Sequence, residues 1–218
     1  MPKITDRQGR PFSGQMPGLV EAVVIDNVDP DQLGRVKVKF PTLPEMPEGF
    51  WARLVMPMAG RERGWMTIPE KDDEVMVNFM HGDFNHAIVM GSVYNGVDTP
   101  PYANEDGENN LRVFQSRSGH RLTFDDTSGA ERIELISHNE ELRIIWDSAN
   151  KTLSVYSGKD IIIEAKETIS LKCKDFILEA DQSISVKSGT STDIETTTSC
   201  SVNGGQSLTL KATSTTIN

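Results

Sequence analysis

The stretch "GKDIIIEAKETISLKCKDFILEADQSISVKSG" (Gly158–Gly189) alternates apolar and polar residues almost without a break, yet holds no Asn-Gly, no Asp-Gly and no Pro. Strict alternation is the pattern of half-buried strands. The missing turn signals argue against hairpins. Aligned with itself, the stretch repeats: "DIIIEA" at 160–165 returns as "DFILEA" at 175–180, and "TISLKC" at 168–173 returns as "SISVKS" at 183–188, both at an offset of 15 residues. The repeat is two short strands, the mark of a β-solenoid. Its inward positions read as Ile161, Ile163 and Ala165, Ile169, Leu171 and Cys173, Phe176, Leu178 and Ala180, then Ile184, Val186 and Ser188. A two-strand coil encloses little on its own. Several identical chains wound about one axis close the core, each supplying one face. The trimer core is therefore expected at Ile161, Ile163, Ile169, Leu171, Phe176, Leu178, Ile184 and Val186. The Ser- and Thr-rich residues 190–218 keep a partial alternation in Val202, Leu208, Leu210, Ala212 and Ile217, and read as the narrow end of the same solenoid.

Working outward, residues 97–110 (VDTPPYANEDGENN) form a linker of Pro, Gly and acidic residues without apolar periodicity. Residues 17–96 differ again. "LVEAVVID", "GRVKVKF", "FWARLVMPM", "GWMTIP", "EVMVNFM" and "AIVMGSVY" read as short strands between turn signals. Val36, Val38 and Phe40 alternate with Arg35, Lys37 and Lys39. Five or six strands in this space predict a small β-barrel of the OB type. Residues 1–16 read as a flexible arm, and 111–218 as neck and spike. The fold class is all-β.

The chain of 218 residues carries 22 Lys and Arg against 32 Asp and Glu, a net charge of -10. Phosphate backbones and anionic lipid repel such a chain. Residues 1–109 alone hold 10 basic and 17 acidic residues, so an OB-type nucleic-acid groove is not expected. The start "MPKITDRQGR" is polar, unlike a secretory signal, and no apolar run approaches a membrane span. Cys173 and Cys200 have no metal-type spacing and read as packing residues. In "HGDFNH", His81 and His86 flank Gly82 and Asp83, which make a turn rather than a metal site. Asp125 and Asp126 are adjacent on a strand, so they point to opposite faces and cannot flank one bond. No Gly-x-Ser-x-Gly elbow and no Gly-rich phosphate loop occurs. No catalytic residue, metal or cofactor is expected.

"GRVKVKFP", then "ARLVMPMAGRERGWMTIPEKDDEVMVNFMHGDFNHAIVMGSVYNG", then "PP", resembles the OB-fold of the central spike of contractile tails, a family spanning phage baseplate spikes, the type VI secretion spike and extracellular contractile injection systems. "SRSGHRLTFDDTSGAERIELIS" (Ser116–Ser137) is similar to that family's neck, where the barrel gives way to an intertwined trimeric β-helix, a β-prism needle. In this frame Gly91 and Gly96 allow a tight exit from the last barrel strand, and "FDDTSGAERIEL" is strand, turn, strand. The resemblance implies a homotrimeric, non-enzymatic spike, made in the bacterial cytoplasm and expelled with a phage virion or injection particle. It implies a separate trimeric hub protein at the barrel end, because only about 17 residues precede the barrel. It implies a PAAR-type tip protein docked on Thr215, Thr216, Ile217 and Asn218, and cargo effectors, with no nucleic-acid partner. The alternatives are an OB-fold nucleic-acid binder and a polysaccharide-active β-helix enzyme.

Overall fold

A computed structural model describes residues 18–42 and 48–216. The arm at 1–16 and the tip residues Ile217 and Asn218 lie outside the described residues. The chain divides into two compact units, Met1–Ile161 and Ile162–Asn218.

The alternation of Val36, Val38 and Phe40 with charged neighbours decides the first unit's barrel. All three are fully buried, as are Ala22, Val24, Ala52, Val75, Val77 and Val89. Their strands are β1 (Val20–Asp26), β2 (Val36–Lys39), β3 (Phe50–Leu54), β6 (Glu74–Phe79) and β7 (Ala87–Ser92). They close as β1-β2-β3-β7-β6. Every described pairing is antiparallel except β3 with β7, which run parallel. Phe40 sits 5.5 Å from Phe79 and 6.2 Å from Phe50, ring centre to ring centre, within the barrel core. Gly49 turns the chain into β3 at a φ of 66°, and a Cβ there would lie 2.6 Å from the Val38 carbonyl oxygen. Only glycine accepts both conditions.

Two expectations change. "GWMTIP" forms no barrel strand. The parallel β3–β7 pair already closes the barrel, so no edge is left to pair with it. Only a two-residue ladder survives there, β4 (Ala59–Gly60) with β5 (Arg63–Gly64). Trp65 follows, its N–H donating to the Met58 carbonyl at 2.9 Å. Gly91 and Gly96 are not required for the exit from β7: neither has a left-handed φ, and a Cβ on either meets open space. The exit is held instead by Val93, whose N–H donates to the Glu74 carbonyl at 3.1 Å.

After the linker come β8 (Leu111–Gln115), β9 (Arg121–Asp125), β10 (Arg132–Ile136), β11 (Leu142–Asp147) and β12 (Thr152–Ser157), an antiparallel meander in chain order. The expected strand, turn and strand across Phe124–Leu135 is the β9–β10 hairpin. In the second unit, no strand forms within the single chain among the described residues. Its backbone has no ladder partner there, as a chain must when its alternating segments follow one another without hairpins.

Candidate interaction surfaces

The loop between β1 and β2 is built on one carboxylate. Asp29 accepts from the backbone N–H groups of Asp31, Leu33 and Arg35, and from Nε and Nη2 of Arg35 at 3.0 and 2.7 Å. The Arg35 side chain above all holds the Asp29 carboxyl well below the usual carboxylate range. Nothing in the spacing "DPDQLGR" alone announces this staple, because it depends on the loop folding back. The "HGDFNH" segment is a turn: two short 3-10 helices, Met80–Gly82 and Phe84–His86, with Asp83 between them. Asp83 accepts from the Asn85 N–H at 2.9 Å, and its other oxygen lies 3.0 Å from His86 Nδ1. Among the described residues no group of three His, Cys, Asp or Glu is placed to hold a metal ion.

Asp125 and Asp126 do point apart. Asp125 is buried, accepting from the Thr127 N–H at 3.0 Å and facing Arg132 at 3.4 Å. Hydrogen bonds from Thr127, with Arg132 as a smaller contribution, lower its pKa. Asp126 is exposed and paired with Arg112 at 2.8 Å.

The register of the meander sorts its side chains into two unlike faces. On one face, opposite pairs place Phe124, Ile133, Trp146 and Leu153 in one row. Phe114, Leu122, Leu135, Ile144 and Val155 form the next row. Apart from Arg112, which ends the first row, this face is apolar, and among the described residues it is largely uncovered: Phe114, Phe124, Leu135, Trp146, Leu153 and Val155 are 42% to 61% exposed. The other face carries the polar partners. Arg132 reaches Asp125 and, at 3.1 Å, Glu134. The Arg143 guanidinium lies 4.6 Å over the Tyr156 ring. The alternations Leu122/Phe124, Ile133/Leu135 and Ile144/Trp146 carry this face in the sequence.

The predicted core positions of the spike have the same character. Ile161, Ile163, Ile169, Leu171, Phe176, Leu178, Ile184 and Val186 are all exposed in the single chain, from 53% at Ile169 to 73% at Ile163 and Leu171. Ile163 and Ile169 line a shallow hollow of about 560 Å³ together with Glu164, Ala165 and Lys166. Thr215 and Thr216 are exposed, and the remaining tip-docking residues lie outside the described ones. Cys173 and Cys200 are exposed free thiols.

Residues 20–94, the barrel, match the family of the type VI secretion system/phage-baseplate injector OB domain. The type VI secretion system spike protein VgrG3 of Vibrio cholerae is 32% identical over 126 residues, covering 54% of this chain and 12% of that protein. The spike protein VgrG2a of Pseudomonas aeruginosa is 33% identical over 115 residues, covering 49% of this chain and 14% of that protein. The actin cross-linking toxin VgrG1 of Vibrio cholerae is 29% identical over 143 residues, covering 54% of this chain and 13% of that protein. The match thus spans only 12% to 14% of the length of these relatives. Residues 20–94 thus form a type VI secretion system/phage-baseplate injector OB domain, and the curated relatives that the chain resembles are type VI secretion spike proteins.

Proposed function

We propose that the protein is the structural central spike of a contractile tail or injection apparatus, acting as a homotrimer without enzymatic activity. The observation that carries this is the uncovered apolar surface on both units, namely one face of the neck sheet and the alternating positions from Ile161 to Val186. Fully burying one such Leu, Ile or Phe side chain is worth about 1.5–3 kcal/mol. A chain exposing so many stands far from its lowest free energy alone. Three copies sharing one axis remove these residues from water and give the unpaired backbone of residues 162–216 its ladder partners.

In this reading the neck and needle form a stiff intertwined prism of 111–218, and the barrel of 17–96 seats it through the linker 97–110. The barrel binds a separate trimeric hub. The far end carries a PAAR-type tip protein, and sheath contraction drives the trimer through a target envelope. The work is mechanical: interchain backbone hydrogen bonds loaded along the axis resist unfolding, and unwinding three chains together is slow. Assembly takes place in the bacterial cytoplasm before firing.

Light scattering on the purified protein tests this. A mass three times the 24.1 kDa chain is expected. A stable monomer with native β-structure sinks the reading. A clearing zone on a peptidoglycan zymogram would instead favour the polysaccharide-active alternative.

A further inference from the structure

The barrel carries a groove of about 780 Å³ between the β1–β2 loop, β3 and the β4–β5 hairpin. Leu33, Met58, Trp65 and Met66 line it, each more than half exposed. Unbranched thioethers beside an indole make an adaptable apolar floor. Arg53, Arg63 and Glu62 line it, an excess of one positive charge. Neither arginine takes part in a described ion pair, although Arg53 Nη2 donates to the Met80 sulfur at 3.3 Å. In a chain of net charge -10 this places two cations without a described carboxylate partner on apolar ground.

The same chain holds a complementary element. The linker is anchored at both ends: Asn95 Nδ2 donates to Glu74 at 2.8 Å and the Asp98 N–H to Asn95 at 2.7 Å, while at the far end the Asp126 N–H donates to the Asn110 carbonyl at 3.0 Å. Between these anchors, Thr99–Tyr102 makes no described hydrogen bond and stands out as an exposed crest. Pro100 and Pro101 pre-set an extended polyproline conformation, so docking this crest costs little chain entropy. Extended proline segments are read by aromatic-lined grooves. Asp98 at the head of the crest and Glu105 and Asp106 after it form no described ion pair, so the crest brings the charge that Arg53 and Arg63 lack.

We propose that, in the homotrimer, the Asp98–Tyr102 crest of one copy seats in the methionine–tryptophan groove of the next. The inference rests on the trimeric reading. Each copy presents one groove and one crest, so in a trimer with a threefold axis a head-to-tail contact leaves no groove or crest unused. The position of the groove suits a neighbour's linker: Trp65 meets Phe114 edge-on at 6.4 Å, so the groove adjoins β8, the first strand of the neck that three copies build together. The contact locks the three barrels to one another.

Hydrogen exchange on the full-length protein, paired with light scattering, tests it. In the wild-type trimer the segment 56–66 should be protected. Arg63→Asp, Asp98→Arg and the double change Pro100→Ser with Pro101→Ser should each raise its exchange about fivefold, the factor expected for losing a contact of modest strength. Combining Arg63→Asp with Asp98→Arg should restore protection. All variants should remain trimeric, since neck and needle hold the chains. Trimers in which the Asp98 and proline changes leave exchange at 56–66 unaltered overturn the crest-in-groove contact alone. A monomeric wild-type protein overturns it together with the trimeric reading.

Discussion

Leu135 lies at the centre of the neck sheet, on β10 between Leu122 and Ile144, and is 47% exposed in the single chain. That position separates two accounts of the protein. If the chain works alone, Leu135→Asp replaces one surface side chain by another, and such changes usually stay within about 0.5 kcal/mol. If three copies bury this face, each forfeits the burial of a leucine, about 1.5–3 kcal/mol. Each also places a carboxylate in a dry interface, at several kcal/mol per unpaired ion. Taken over three copies, the cost is on the order of 10 kcal/mol or more, comparable with the whole stability of a domain. The trimer should not form.

The assay is light scattering over a range of concentrations, with circular dichroism to verify that the barrel stays folded. Ser154→Asp is the matched control. Ser154 sits on β12 across from Ile145, on the opposite face, and is exposed. It introduces the same charge into the same sheet and should leave the trimer intact. A Leu135→Asp protein that assembles and melts like wild type would refute the reasoning, because the apolar face would then not be where the copies meet.

Further outcomes follow from other sites. Ile169→Asp should block assembly for the same reason, while Ser170→Asp, one residue along the alternation, should not; normal assembly of the first variant means the needle register is shifted by one. Phe40→Ala should destabilise the barrel by about 3–5 kcal/mol, since a fully buried ring is removed from between Phe50 and Phe79; guanidinium unfolding followed by Trp51 fluorescence reads this, and a loss below about 1 kcal/mol would mean the barrel end collapses around the gap. The folded pKa of Asp29 lies below its unfolded value of about 4, so its staple contributes fully above that pH and is lost progressively as pH falls below it. Barrel melting temperature should therefore drop between pH 5 and pH 2.5, and Asp29→Asn, already weakened at pH 7, should show a shallower drop; equal slopes would place the acid sensitivity elsewhere. Deleting residues 208–218 should abolish capture of a PAAR-type tip protein and leave the trimer intact, and retained capture would move that docking face to the neck or barrel.

What the sequence made legible divides along one physical line. Patterns set by a residue's own chain neighbours could be read. Val36, Val38 and Phe40 are buried as their alternation required, and the Asp126–Gly129 turn joins two strands as its residue types demanded. Features that depend on what stands opposite could not. "GWMTIP" has strand-like composition, yet the barrel had no free edge to offer it, and Trp65 and Met66 ended on the surface. Asp29 looked like one more loop carboxylate until the fold brought Arg35 across it. The repeat from Gly158 onward is the extreme case. Its alternation states which residues want to be hidden, and within the single chain Ile161, Ile163, Ile169, Leu171, Phe176, Leu178, Ile184 and Val186 all stay exposed. The apolar face of the neck obeys the same logic. Its strands are paired and locally complete, and only the cross-strand register brings Leu122, Leu135, Ile144 and Val155 into one apolar row.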